Sequence, residues 1–472
     1  MPSQSYGPEL AGVATYRQAA QIGYSVSENV ERLRRISWAE RRLMHTMLAH
    51  LPRTPEWELK CALALHQWYC AEHAEWLRQR VSEMRHPAPP LAESPDPTLD
   101  AFLEEVLRAG DSVELVAGIY AVALPALRLA YADHSRHTNP LVDHPTRRFI
   151  RFAILEISEA IEWGRASLSD FTATGEAKRR ADAWIEHLEA YLAAAGGIAG
   201  NAGFSLGEGD EQSGSRIRDM IAPLPEPRSR NAFVADLEPK RDHRFSGSYN
   251  FEFPPHVVYN APDVPADERN LALLCKRTLE MDVPEMMASF LVERTGQPWE
   301  FYLDYARQLW DEARHAMLGT VAFEERGVDW KSIPLNVGFS LRLNQHAEPQ
   351  ERQILLYAIE QSLMPSDTGK RFEYETAVAA GDALSAHFHD YDWADEVLHA
   401  HIGRRLLKRE GISPAEAARR GQEIHDRTWK ALDQYKPRER QYNWWPDFVR
   451  KVLRKDSAVK DRELAAPTVV GE

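Results

Sequence analysis

Apolar residues recur at three- and four-residue spacing along two long stretches, from about Ser27 to Gly196 and from about Asp267 to Lys408. Charged residues fill the intervening positions, the pattern of amphipathic helices packed on a core. Sustained alternation of period two, the mark of half-buried strands, is hard to find in either block. The fold class expected is therefore all-α. Between the blocks, Gly200 to Ala266 is rich in Gly, Pro, Ser and charge (NAGFSLGEGDEQSGS, then APLPEPRSR) and reads as an extended linker, partly disordered near its start. Within it, SGSYNFEFPPHVVYN, from Ser246 to Asn260, is too apolar for a free tether and is expected to pack against the second block. Beyond Gly411, Ser413-Pro414-Ala415-Glu416 supplies a helix start, with the helix running to about Tyr435. The segment QYNWWPDFVRKVLRK then adds an apolar anchor before a polar, frayed terminus. The expected organisation is residues 1–199, a linker over 200–266, and residues 267–472, with one four-helix bundle in each outer part.

Two short stretches of the second block carry chemistry. Asp311-Glu312-Ala313-Arg314-His315 and Asp395-Glu396-Val397-Leu398-His399 both read Asp-Glu-x-x-His inside a helical pattern. Residues three apart share a helix face, so each Glu and His project toward one point. A carboxylate and an imidazole side by side suit iron, manganese or zinc. Each preceding Asp, Asp311 or Asp395, is placed to accept the outer N–H of a ligand histidine, its own or the other motif's. A two-metal site between four helices also needs a carboxylate from each of the other two helices, one hairpin upstream. Glu280 lies 32 residues before Glu312 with Gly296 midway, and Glu360 lies 36 residues before Glu396 with Pro365, Gly369 and Gly381 between. Glu285 competes with Glu280, and Glu373 and Glu375 with Glu360. The plainer reading, solvated helix faces or buried ion pairs, suits any one of these residues better than it suits the set. His387, His389 and His401 are read as core or surface histidines.

A shift of 240 residues superposes the first block on the second. Glu40 falls on Glu280, Glu72 on Glu312, Glu75 on His315, Tyr120 on Glu360, Glu156 on Glu396 and Glu159 on His399. The first block thus reads as a copy with an altered site. Its acids Glu40, Glu72, Glu75, Glu156 and Glu159 either hold a hard ion or pair with Arg41, Arg78 or Arg151 in a structural role. His45 and His73 stand off the matched positions.

Composition narrows the function classes. Net charge is 57 − 71 = −14, so no global field draws the chain to nucleic acid or anionic lipid. Three cysteines, Cys61, Cys70 and Cys275, build no disulfide framework and suit a reducing, cytoplasmic setting. No secretory signal is read at the N-terminus. The apolar run LVAGIYAVALPALRLAYA, Leu115 to Ala132, contains Pro125 and Arg128 and is read as a core helix rather than a membrane span.

With these residues in view, the second block resembles the ferritin-like superfamily of di-iron carboxylate proteins. Asp311-Glu312-x-Arg314-His315 is similar to the motif of its oxygen-activating members, and Glu280 with Glu285, then Ala380-Gly381-Asp382, resemble an uncharacterised ferritin-like family. The resemblance covers roughly 140 residues of block two, while over block one it is architectural only. It implies two irons, or manganese or a mixed pair, with Glu280, Glu312 and His315 on one and Glu360, Glu396 and His399 on the other. Arg314 would pair with Asp311 or a neighbouring acid. The implied activity is a di-iron oxygenase or oxidase using O2 on a small organic substrate. Electrons would come from a separate donor, since no nucleotide-binding glycine loop is present, and such bundles are compatible with a homodimer. The other readings are an iron-handling protein without organic substrate, or a scaffold whose site is vestigial or holds a single ion. An apolar pocket at the metals would mark the enzyme, with Met286, Met287, Phe290, Tyr357 and Met364 expected to line it.

Overall fold

The computed structural model of the chain describes residues 7–200, 223–245, 247–251, 255–365, 367–435 and 442–459. Their regular secondary structure is all helical, with no strand among them. They form two compact units, Met1–Met47 with His66–Val234, and Leu48–Leu65 with Ala235–Glu472. The division therefore differs from the expected one in two ways. The presumed linker is shared out, its described part up to Val234 going to the first unit and the rest to the second. The tip of the first helical hairpin, 48–65, belongs to the second unit. The start of the linker, expected to be disordered, and the polar C-terminus lie outside the described residues.

The long helices that lie wholly or mostly in the first unit are α1 (Val26–His50), α2 (Trp57–Glu83), α3 (Pro97–Leu107), α4 (Ser112–His137), α5 (His144–Phe171) and α6 (Gly175–Ala194). Helix α1 starts at a reciprocal cap: Glu28 N–H donates to Ser25 Oγ at 3.3 Å, and Ser25 N–H donates to the Glu28 carboxylate at 2.7 Å. Helix α4 is long and apolar enough to cross a membrane by length and composition, but 61 % of its most apolar window is buried within the unit. Over Ala117–Ala123 it widens into a π-helical turn that carries Tyr120. A Cβ at Gly164 of α5 would lie 2.1 Å from that tyrosine, so only glycine lets α5 pass.

The second unit contains α7 (Ala266–Leu279), α8 (Asp282–Glu293), α9 (Trp299–Glu324), α10 (Gly338–His346), α11 (Pro349–Ser362), α12 (Lys370–Ala379), α13 (Ala383–Arg409), α14 (Pro414–Ala431) and α15 (Trp445–Leu453). Helix α9 packs on α7, α8 and α13, while α11 packs on α8, α13 and α14, and α12 on α7 and α13. The expected turn at Gly296, φ +76°, joins α8 to α9. The break between α7 and α8 falls at Glu280 itself, which ends α7. A Cβ on Gly319 of α9 would come within 2.7 Å of the Thr278 backbone nitrogen, so α7 and α9 approach as closely as two backbones can without a side chain between them. The aromatic segment packs as expected: Val337 N–H donates to Ser248 O at 3.0 Å, and Phe251 lines a cavity of this unit. Ser413 caps α14 through Glu416 N–H, and Trp445 of α15, fully buried, donates from Nε1 to Glu268 at 3.0 Å.

Candidate metal centre

Helices α9 and α13 each present a Glu and a His three residues apart, and the two pairs face each other. Glu312, Glu360, Glu396 and His399 bring one ligand-type atom apiece within 4.8 Å of one another, and Glu280, His315 and Asp392 do the same beside them. All seven are buried or nearly so, Glu280 being the most open with 12 % of its side chain exposed. Both histidines turn Nδ1 inward. His399 Nδ1 lies 3.2 Å from Glu312 and 3.4 Å from Glu396, and His315 Nδ1 lies 3.7 Å from Glu312, 3.8 Å from Glu396 and 3.2 Å from Asp392. Glu312 addresses His399 with Oε1 and His315 with Oε2, so its carboxylate stands between the two rings, as does that of Glu396.

The outer nitrogens cross over between motifs. His315 Nε2 is 3.2 Å from Asp395, and His399 Nε2 is 3.4 Å from Asp311. Arg314 donates to both aspartates, at 2.6 Å and 2.7 Å, and Arg307 also holds Asp311. This arrangement fixes both imidazole orientations and turns each Nδ1 inward, where it offers a lone pair once the ring has shed its proton.

Of the alternatives left open by the sequence, Glu285 and Glu375 lie apart, while Glu373 forms a third close group with His389 and Asp392. Glu285 lies apart, buried with Lys60 at 2.6 Å and with Arg241. Glu373 is held by Lys276 and by Arg277 at 2.7 Å, next to Glu280 and Asp392, while Glu375 pairs at the surface with Arg371. His387 and His401 are exposed; His389 is buried beside Glu373. The sequence reading missed Asp392, Gln308 and Lys370. Asp392, Glu396 and His399 stand at i, i+4 and i+7 on α13, and Gln308, Glu312 and His315 stand likewise on α9. One more step back along the same helix face would have found the first two. Gln308 donates to Glu360 at 2.9 Å, so a neutral amide sits on the His399 side where a carboxylate sits on the His315 side. Lys370, fully buried at the start of α12, reaches Asp392 at 3.0 Å and Glu396 at 2.8 Å. It enters from a helix no motif marks, which is why spacing did not reveal it.

The donor set fits divalent cations. One oxygen each of Glu312, Glu360 and Glu396, and Nδ1 of both histidines, are buried without a hydrogen bond, while Glu280 is ion-paired with Arg277 at 2.8 Å. Buried polar atoms are rarely left so, and several converging on one centre is the pattern of groups awaiting an ion. The electrostatics agree. Burial pushes Glu360 well above the usual carboxylate range, with Glu396 beside it adding to the effect. Burial also lifts Glu280, to about 7, against the pull of Arg277 and Lys370. Burial opposes a charged His315, but Asp392, Asp395 and Glu312 outweigh it and raise the ring to about 9; Asp311, Glu312 and Glu396 do the same for His399. Without metal, protons and the Lys370 ammonium balance the carboxylates.

These carboxylates open onto a cavity of about 360 Å³. Glu280, Glu312, Glu360 and Glu396 form part of its wall, and Phe251, Leu279, Phe339, Leu356, Ile359 and Trp429 supply much of the apolar remainder. The residues expected to line such a pocket do not: Met286, Met287, Phe290 and Tyr357 are packed into the helical core, and Met364 lies off the cavity. Met286, Met287 and Phe290 continue the face of α8 that begins with Asp282 and Val283, beyond the stretch the cavity reaches, and period alone could not say where along that face the cavity stops.

The first unit assembles no comparable group among the described residues. Of its five candidate acids, Glu40 and Glu156 meet, but through His73, whose Nδ1 is 3.0 Å from Glu40 and whose Nε2 is 2.8 Å from Glu156. Tyr131 also donates to Glu40, at 2.7 Å. Glu72 takes a bond from Trp68, Glu75 takes one from Gln79, and Glu159 is exposed. Of the arginines considered, Arg41 and Arg78 bond to backbone carbonyls of Pro89 to Leu91, and Arg151 is exposed. A histidine outside the matched positions fills the place where an ion was considered. Burial disfavours its charge, yet Glu40 and Glu156 raise it to about 9. Comparison of the chain with protein-family models, curated proteins and solved structures finds no match.

Proposed function

We propose that the second unit binds two divalent first-row metal ions, iron foremost with manganese or a mixed pair as variants, and acts as an O2-dependent oxidoreductase on a small organic substrate. In this reading His315, Glu280 and Asp392 serve one ion and His399 and Glu360 the other, with Glu312 and Glu396 shared. Reduced iron in such a pair supplies the two electrons that O2 activation needs. The protein's own residues do the rest. Asp311 and Asp395 hold the two imidazoles, and the cavity places substrate against Glu312, Glu360 and Glu396.

The observation that carries the proposal is the union of the two features: ion-ready donors form one wall of an otherwise apolar cavity. Walls of leucine and aromatic rings suit an organic molecule better than an ion path, which weighs against iron storage. One observation favours a second reading. The Lys370 ammonium and Arg277 already neutralise Asp392, so the Glu312–Glu360–Glu396–His399 group could hold a single ion by itself.

Metal analysis of the purified chain, reconstituted anaerobically with Fe(II), separates these readings. Two irons per chain are expected, with Glu312→Gln losing both and Glu360→Gln losing one. A value of one, unaffected by Glu280→Gln, supports the single-ion reading; a value of zero refutes the proposal. O2 uptake by the reduced, loaded protein then tests the redox assignment.

A further inference from the structure

The same cavity contains a cation that the metal centre does not use. Arg342, on α10, is 2 % exposed and lines the cavity together with the four glutamates. Comparably buried arginines of this unit pair with acids: Arg241 with Glu285, Arg277 with Asp392 and Glu373, and Arg352 with Glu293. Among the described residues no carboxylate lies within 4.0 Å of Arg342. Its bonds are to Thr428 Oγ1 at 2.5 Å, His425 O at 3.4 Å and His425 Nδ1 at 3.3 Å. A guanidinium has five N–H donors. Three are engaged here, and Nε, buried, makes no hydrogen bond. What remains is Nε–H and one N–H of Nη2, the adjacent pair that a planar carboxylate takes in bidentate fashion.

The guanidinium is also held in place. Its carbon lies 5.4 Å from the Phe339 ring centre and 5.4 Å from that of Trp429, so the fork is oriented before any ligand arrives. Burial without a counter-ion pushes Arg342 down to about 9, which still leaves it charged at neutral pH. The nearby Asp282 offers little compensation, because burial and then Glu285 lift it to about 8. A buried, oriented and uncompensated cation on a cavity wall is costly unless something neutralises it.

We propose that the cavity takes an amphipathic organic carboxylate, its head group bidentate on Arg342 and its apolar body along Phe251, Phe339, Leu356 and Trp429. This names the substrate class for the oxidoreductase reading and rests on that reading for what happens at the glutamate wall. The head-group recognition itself needs no metal and is tested without it.

The test uses the full chain, stripped of metal by chelator, and calorimetric titration with 4-phenylbutyrate, octanoate, their primary alcohols and sodium phosphate. The acids are expected to bind at least tenfold tighter than the alcohols. Arg342→Met should abolish that preference, and Arg342→Lys, which keeps charge but loses the fork, should recover only part of it. Acid binding is read on the metal-free unaltered chain and metal stoichiometry on the loaded one, so failure of the metal centre and failure of this site read differently. The comparison of acid with alcohol on the unaltered protein holds even if the Arg342 variants do not fold. Equal binding of acid and alcohol overturns the proposal. So does binding of phosphate alone, or of none of the compounds.

Discussion

Lys370→Met is the substitution that tests the metal centre most sharply. The Lys370 ammonium is fully buried and touches two carboxylates that would otherwise serve an ion, Asp392 at 3.0 Å and Glu396 at 2.8 Å. Removing one partner from a buried ionic cluster costs about 3–5 kcal/mol, because charge is left uncompensated. Arg277 still neutralises Asp392, so the lower end, about 3 kcal/mol, is expected for the metal-free protein. With ions bound, the same oxygens face a divalent charge and the loss should largely disappear. A thermodynamic cycle then requires the difference to reappear as tighter binding, up to about 150-fold for 3 kcal/mol. Urea unfolding in chelator and in excess Mn(II), alongside Mn(II) titrations followed by electron paramagnetic resonance, measures both sides of the cycle. Equal destabilisation of both forms, with unchanged Mn(II) affinity, would show that the lysine and the ion do not compete and would refute the reasoning.

Metal affinity should climb with pH through about 9, where His315 sheds its proton, with His399 and Glu360, both held protonated above their ordinary ranges, adding to the rise; buffer-dependent calorimetry counts the protons released. Asp395→Asn should weaken binding about 10–100-fold with the fold intact, as circular dichroism and metal titration would show together. In the first unit, His73 rises from 6.5 to about 9 on folding. Its contribution, on the order of 3 kcal/mol, is fully present below pH about 6.5 and lost as pH rises through about 9. Thermal unfolding from pH 6 to 10 should show this slope in the unaltered chain and lose it in His73→Gln. Gly319→Ala should force α7 and α9 apart and cost about 1–3 kcal/mol; an unchanged melting temperature would mean that the approach is looser than described.

The helical class was legible because period 3.6 is written along both blocks, and helix ends were legible where caps stand, as at Ser413 and Gly296. The close grouping around Glu312 and Glu396 was legible because a helix face repeats every three or four residues and a hairpin returns the chain to one level. Other features were not. Lys370 reaches the centre from a helix with no ligand motif, and the cavity stops at Asp282 and Val283 on α8, short of the residues chosen from sequence. Arg342 looks like any helix arginine until its missing acid is noticed, and absence of a partner is a property of three dimensions. The altered first-block site was misjudged for a related reason. His73 belongs to the neighbouring helix position rather than the matched one, and a shift by one residue is invisible to a superposition of fixed register.

The hairpin tip formed by residues 48–65 sets a limit on how this molecule can be taken apart. Lys60 comes from that tip, yet its ammonium neutralises Glu285 far along the chain, and its other bonds are to the carbonyls of Leu51 and Pro52. Covalent order and spatial grouping therefore disagree. A gene severed in the Gly- and Pro-rich stretch after residue 200 would yield a C-terminal fragment stripped of that ammonium, with one of the two cations facing Glu285 gone. Anyone wishing to study the second unit alone would do better to reorder the segments than to cut between them.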